Sequence, residues 1–355
     1  MRNFDYESLS KATWIPDVLD YVALISQEKG KQELYLRQKP EELERLVEIA
    51  KVQSTEASNA IEGIHTSSTR LKKLMGEKTT PKNRDEEEIA GYRDALALIH
   101  ESFDMISITP NYILQLHQIL MGHTSASHKG KFKNVQNYIS ATDGKGDSFT
   151  LFTPMDPFET PLAMQRICDE YNRCIGNGLV HPLVLIPVFI HDFLCIHPFI
   201  DGNGRMSRLL TMLLLYRSGF YVGKYISLEA KISKNKDLYY DALSKSQEGW
   251  HEGKDNPLPF VKYILGTVAS AYSDFEERVE LVSEKLPAKE MVRKAIGQKI
   301  GYFTKADVME LCPSLSLSSV ELALRELVRE KAIERSGVGK ATKYRCIKLK
   351  SEIRI

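Results

Sequence analysis

Apolar side chains recur at three- and four-residue intervals along most of this chain, the period of helices buried on one face. Trp14, Ile15, Val18, Leu19, Val22, Leu24 and Ile25 keep mostly to that interval, and Pro40 opens a second stripe through Leu43, Leu46, Val47 and Ile49. The acidic run Asp85-Glu86-Glu87-Glu88 stands before Ile89, Tyr92, Leu96 and Ile99, as the charged first turn of a long helix does. Thr109-Pro110 starts another, through Ile113, Leu116, Ile119 and Leu120, whose lone His117 fits packing or a partner contact better than a ligand. Further stripes run from Met164 to Ile175, from Val184 to Leu194 and from Phe260 to Val268.

Between Gly130 and Asp156 the period falls to two. Val135-Gln136-Asn137-Tyr138-Ile139 and Phe149-Thr150-Leu151-Phe152 flank the turn-rich Thr142-Asp143-Gly144-Lys145-Gly146-Asp147, which predicts one β-hairpin in a helical chain. Pro154, Pro157 and Pro161 close it. From periodicity alone the hairpin is either a working element or an exposed loop.

Composition narrows the class. With 355 residues and 43% hydrophobic content the chain can bury one large core or two unequal ones. No basic-then-apolar leader and no run of about 18 apolar residues is seen, so a soluble protein with no membrane contact is expected. The five cysteines (Cys168, Cys174, Cys195, Cys312, Cys346) are odd in number and scattered, which suggests free thiols and a cytoplasmic location. Net charge is +1, but unevenly spread: from Lys285 onward there are 16 Lys and Arg against 8 Asp and Glu, or +8, leaving −7 for the rest. That tail, marked off by Pro287, is predicted as a helix over Met291–Ile300, a segment Phe303–Val308, a helix over Ser318–Leu327 and a basic hairpin from Lys331 to Lys348 around Ser336–Lys340. The order resembles a winged helix-turn-helix, a module that contacts DNA, binds protein or dimerises.

The chemistry is concentrated in His197-Pro198-Phe199-Ile200-Asp201-Gly202-Asn203-Gly204-Arg205-Met206-Ser207-Arg208. Two glycines around Asn203 let the backbone turn and bring its N–H groups close to an anion. A helix is predicted from near Arg205 to Gly219, its free N–H groups near Met206 and Ser207 facing the cradle. Arg205 and Arg208, three apart, are expected to project from one side and clamp two successive phosphates. Asp201 suits Mg²⁺, and His197 is the group able to accept a proton near neutral pH. A metal pair of His191 and His197 is disfavoured, because six residues apart they face different ways and no cysteine or carboxylate has zinc-site spacing beside them.

This window resembles the signature of the Fic (Fido) family, His-x-Phe-x-(Asp/Glu)-Gly-Asn-Gly-Arg-x-x-Arg, at every fixed position. The resemblance implies transfer of AMP from ATP to a hydroxyl side chain of a target protein, with a mainly α, Fic-type helical bundle and one hairpin flap. It aligns His197 with the base, Asp201 with the Mg²⁺ ligand, and Gly202, Asn203 and Gly204 with the anion hole. Arg205 aligns with the contact to the inner phosphates and Arg208 with the clamp on the γ-phosphate. It also implies that the hairpin (about 130–156) pins a target segment by strand addition, and that Tyr240, in the pair Tyr239-Tyr240, borders the adenine pocket.

Thr55-Glu56-Ala57-Ser58-Asn59-Ala60-Ile61-Glu62-Gly63-Ile64 reads as a helix ending at Gly63 with Ser58 and Glu62 on one face. It resembles the family's inhibitory helix (about 55–63), which implies that Glu62 occupies Arg208 and holds the enzyme at rest. The expected organisation is an N-terminal helical region (1–110), a catalytic core (111–284) and a winged-helix domain (285–355). Self-modification, a homodimer and DNA contact through the tail are further expectations. The rival readings are a nucleotide-sensing DNA-binding regulator, and a Fic enzyme that uses another nucleotide donor or removes AMP.

Overall fold

The computed structural model describes residues 2–38, 40–142, 148–283, 286–297, 301–312, 314–337, 339 and 342–347, with side chains throughout except at 38, 40–42, 141, 142, 148 and 280–283. Helix starts follow from local chemistry. Helices α1 (Pro16–Gln38) and α2 (Pro40–Ile61) each begin with a proline, whose missing N–H would have had no helical partner there. The Ser67, Asn83 and Thr109 side chains cap α3 (Ser68–Met75), α4 (Arg84–Ser102) and α5 (Pro110–Leu120), each accepting a first-turn N–H. After the hairpin come α6 (Thr160–Gly176), α7 (Pro182–Ile196), α8 (Asn203–Arg217), α9 (Leu228–Lys234), α10 (Lys236–Gln247) and α11 (Leu258–Ser283). The mainly helical class is therefore the observed one.

The chain forms two compact units, one of residues up to Gln32 with Ala50–Tyr272, the other of Glu33–Ile49 with Ser273 onward. Neither 110/111 nor 284/285 separates them: the division passes through α1, α2 and α11, because long amphipathic helices continue where composition changes. The expected inhibitory segment is likewise no separate helix but the last turns of the 22-residue α2.

In the first unit α7 and α8 form the centre. Every residue of α7 from Leu183 to Ile196 is buried, as is all of α8 from Arg205 to Tyr216. Helix α6 packs on α7, and α4 and α5 pack on α8 and on each other. The α4–α5 approach is so close that a Cβ on Gly91 would stand 1.9 Å from the Leu120 carbonyl oxygen.

The hairpin pairs β1 (Ile139–Thr142) with β2 (Ser148–Phe152) antiparallel, with a register irregularity between Ile139 and Ser140. The first strand lies later than the predicted Val135–Ile139. Residues before it alternate in polarity for another reason: the Gln136 amide donates to Pro154 O and the Asn137 amide to Phe199 O, leaving Val135 and Tyr138 exposed. The turn residues 143–147 lie outside the described residues.

The second unit's C-terminal part contains α12 (Ala288–Gly297), β3 (Tyr302–Phe303), α13 (Lys305–Leu311), α14 (Leu317–Arg329), β4 (Ile333–Ser336) and β5 (Lys343–Cys346). The strands form one antiparallel sheet in the order β3-β5-β4. Helix α12 starts three residues before the predicted Met291, and β3 is an added strand that two residues are too few to announce. Val292, Ile296, Phe303, Val308, Leu324 and Leu327 form its core, and a Thr304/Asp307 capping box starts α13. Val338, Lys340 and Lys348 of the expected basic hairpin lie outside the described residues.

No described helix is long and apolar enough to cross a membrane, and all five cysteines are free. Gly91 gives a test of the core. Gly91→Ala forces α4 off α5, and overpacking of this kind costs about 1–3 kcal/mol; the urea midpoint is expected to fall with the slope m unchanged.

Candidate active site

The twelve-residue signature forms the joint between the two central helices. Helix α7 ends at His197, which takes a left-handed conformation (φ 51°, ψ 62°) while its N–H still bonds Phe193 O. Such a conformation costs a non-glycine residue about 1–2 kcal/mol, so the surroundings must hold it. Helix α8 then starts from Gly202, at φ 84°, where glycine pays no steric penalty.

The loop between is pinned from several sides. Asn203 brackets Phe199, accepting its N–H on Oδ1 at 2.9 Å and donating from Nδ2 to its carbonyl at 2.7 Å. Lys133 donates from Nζ to Ile196 O at 2.9 Å, and its N–H donates to Pro198 O at 2.8 Å. His117 stacks on Phe199 with centroids 3.7 Å apart. Its Nδ1 accepts the Gly130 N–H, so its proton sits on Nε2 and is donated to Asp201 O at 3.0 Å. His117 is thus a packing and pinning residue, as its position on an apolar face suggests.

His197 can accept a proton. Burial lowers its pKa to about 4, outweighing its bond to Leu194 O. The ring is therefore neutral at pH 7, and because Nδ1 donates to the Leu194 carbonyl at 3.3 Å, Nε2 is left unprotonated. Burial also lowers Lys133 to about 8.

The anion cradle differs in detail from its prediction. Helix α8 starts at Asn203, two residues before the expected Arg205, because Gly202 can serve as its cap. The Met206 N–H is consequently spent on Gly202 O at 2.9 Å and does not face the cradle, and the same shift takes Ser207 into the regular helix. The open donors belong to the first turn, around Gly204. Asn203 contributes no side chain to it, since Phe199 uses both of its polar atoms.

The two arginines do not form a pair on one side. Arg205, 1% exposed, turns to Glu88, with Nη1 2.7 Å from Oε2. Arg208, 3% exposed, turns to α2: Nε donates to Ser58 Oγ at 2.8 Å, and Nη2 to Ser58 O at 2.9 Å and to Glu62 Oε1 at 2.7 Å. Glu62 is presented by the end of α2. Gly63, at φ 80°, stops the helix with bonds from its own N–H to Ala60 O and from the Ile64 N–H to Asn59 O, a paired closure that holds the preceding residue. Its carboxylate lies directly over Gly204, with Oε1 2.2 Å from where a Cβ would be.

Asp201 is partly exposed, its Oδ1 accepting the Gly202 N–H at 2.6 Å and its Oδ2 the Arg84 Nη2 at 3.0 Å. A hard oxygen facing solvent and already drawing a positive charge fits a Mg²⁺ ligand. Of the tyrosine pair, Tyr239 is buried against Phe260 and Tyr263, with its hydroxyl at Ser207. Tyr240 is 41% exposed, its ring near Lys236, which donates to Ile61 O at 2.6 Å.

Periodicity gave no signal for Arg84, Lys133 or Lys236. Glu88 was visible only as part of an acidic first turn, yet Glu86 and Glu88 are both buried and paired with arginines. His191 and His197 do not meet, but His191 lies with Asp192 and Asp255 in a buried cluster. There Arg2 bonds Asp255, while Tyr6 and Trp250 donate to Asp192, so the chain itself supplies the positive charge.

The Fic/DOC family model matches residues 107–215, from the start of α5 to the end of the signature helix. Those residues form a Fic/DOC domain. Among the chain's relatives is "Protein adenylyltransferase Fic" of Drosophila yakuba, 27% identical over 224 residues, which are 63% of this chain and 41% of that protein. Its Drosophila grimshawi namesake is 33% identical over 178 residues, 50% of this chain and 32% of the relative. The chain thus spans less than half the length of these relatives. A Fic family protein from Desulfovibrio desulfuricans shares the fold across 96% of this chain and 99% of its own, at TM-score 0.61 and 22% identity. A Fic domain containing signaling protein from Bacteroides thetaiotaomicron aligns over 72% of this chain and 97% of its own, at TM-score 0.60 and 25% identity.

Burial holds His197 and His117 at about 4 and His100 at about 3, all below the value of about 6.5 that an unfolded chain offers. Between those limits the unfolded state binds more protons, so stability is complete above pH 6.5 and is lost as pH falls toward 4. The expected slope approaches about 1.4 kcal/mol per pH unit for each histidine. Urea midpoints at pH 7, 6 and 5 measure it, and ¹⁵N spectra should find the His197 Nε2 unprotonated at pH 7.

Proposed function

We propose that this Fic protein is a protein adenylyltransferase that its own α2 keeps at rest. The observation that carries the reading is the Glu62 carboxylate on Arg208 and over Gly204. A helix start and a buried guanidinium converge there on an anion, and the anion is one the chain provides. A nucleotide polyphosphate has the charge and shape to take that place. The relatives' name, protein adenylyltransferase, supports ATP as that nucleotide.

In the proposed step a Ser, Thr or Tyr hydroxyl of a target attacks the α-phosphorus of ATP. The O–P bond forms as the bond to the bridging oxygen of the β-phosphate breaks, and pyrophosphate leaves. The hydroxyl proton passes to the bare Nε2 of His197. Arg208 and the first-turn N–H groups of α8 hold the phosphates in line, while Arg205, anchored on Glu88, lends positive charge from behind. Mg²⁺ at Asp201 would neutralise phosphate charge when bound. Phe149 and Leu151, exposed on the hairpin, suit a target segment added along a strand edge, which would bring its hydroxyl to His197. The same geometry admits self-modification. We also read the second unit as a winged helix-turn-helix from its element order.

With Glu62 on Arg208, ATP is excluded or held with its α-phosphate out of line, and a displacement of about 1 Å is enough to remove on the order of 10²-fold in rate. Glu62→Gly is therefore expected to raise incorporation of label from α-³²P-ATP by about that factor, read as self-modification or on added lysate proteins. Adding His197→Ala to that variant should return the signal to background. Absence of label in every variant would overturn the adenylyltransferase reading, and label from UTP alone would redirect it to another donor.

A further inference from the structure

Behind the cradle, two carboxylates and two guanidinium groups alternate in a closed ring. Arg84 donates from Nε to Glu88 Oε1 at 2.7 Å and from Nη2 to Asp201 Oδ2 at 3.0 Å. Arg205 closes the other side, with Nη1 2.7 Å from Glu88 Oε2 and Nη2 3.6 Å from Asp201 Oδ1. The halves of the ring differ in setting. The Arg205 and Glu88 side chains are 1% and 5% exposed, whereas those of Arg84 and Asp201 are 71% and 37% exposed.

Arg84 is not needed to balance the buried charge, since Glu88 already forms an ion pair with Arg205. Arg84 also sits at the first position of α4, where the helix dipole disfavours a cation and where Asp85, Glu86 and Glu87 follow it. Burial does not call for an arginine there, and the i,i+4 pair with Glu88 uses only Nε, leaving the rest of the guanidinium for another partner. What it does is reach across from α4 and rest on Oδ2, the Asp201 oxygen that the Gly202 N–H leaves free.

We infer that Arg84 is a tethered cation that competes with the divalent ion at Asp201, so that loading the metal requires its guanidinium to swing aside. This rests on Asp201 being the metal ligand in the function proposed above. A Mg²⁺ ion must come within about 2.0–2.1 Å of its carboxylate oxygen. A guanidinium on Oδ2 covers that approach and repels the incoming charge. Displacing it is easy, because an exposed ion pair is weak and Arg84 keeps Glu88 one turn along its own helix as an alternative anchor. In the resting protein the chain therefore stands in for both parts of the metal nucleotide: Glu62 for phosphate, Arg84 for cation.

The test is Mn²⁺ titration of the full chain without nucleotide, followed by water-proton relaxation, on wild type, Arg84→Gln, Arg84→Ala, Arg84→Lys and Asp201→Asn. Both neutral variants at 84 should bind Mn²⁺ about threefold to tenfold more tightly than wild type, the range an exposed ion pair permits. Arg84→Lys, which keeps the charge, should stay near wild type, and Asp201→Asn should lose the site. Unchanged or weaker binding in the neutral variants, with Asp201→Asn still losing the site, overturns the role of Arg84 and leaves Asp201 as the ligand. Unchanged binding in Asp201→Asn overturns both.

Discussion

A guanidinium as deeply buried as that of Arg208 must have a negative partner. Stripped of water and left unpaired, such a charge would cost several kcal/mol, more than a domain of this size can easily spare. Much of the first unit is arranged around that need. Helix α8 buries the arginine because its apolar residues fill the core, and α2 brings up Ser58 and Glu62 to meet it. Under the function proposed above, inhibition and stability draw on the same contact, and the protein rests because an empty phosphate site would be an unpaired buried charge.

The second constraint is the joint between α7 and α8. One helix must stop and another begin within six residues, and the strain falls on His197, which adopts a backbone conformation that only its surroundings make tolerable. Asn203, Asn137, Lys133 and His117 supply those surroundings, each bonding a backbone carbonyl or N–H of the loop. The same burial that fixes the loop keeps the imidazole neutral, so position and protonation state of His197 have one cause.

The signature was legible because its chemistry is local: turn glycines, base, carboxylate and arginines are neighbours in sequence as well as in space. Glu62 was legible only through the resemblance to the family's inhibitory helix, because the spacing of Ser58, Glu62 and Gly63 by itself says no more than that a helix ends there. The contacts made by Arg84, Glu88 and Lys133 were not legible, because nothing in a helical period says which distant loop a charged side chain will meet. Two errors have the same root. The segment around Val135 alternates like a strand yet is held by side-chain amides, and α8 begins at Asn203 because a left-handed glycine can cap a helix that apolar spacing alone starts later. Where the hydrophobic pattern was long, as in α2 and α11, it gave the helices but not the division into units that crosses them.

Gly204 has a consequence for how such a protein can change over generations. The space left by its missing side chain is filled by the Glu62 carboxylate at rest, and a bound phosphate would need the same space. Any larger residue at 204 evicts the inhibitor and the nucleotide together. Under the proposed function, substitution at 204 thus has no route to a permanently active form. That route runs through the end of α2, where a single change at 62 removes the carboxylate and leaves the cradle intact. The two stretches therefore tolerate change unequally, the signature being held by both states of the protein and the tip of α2 by one.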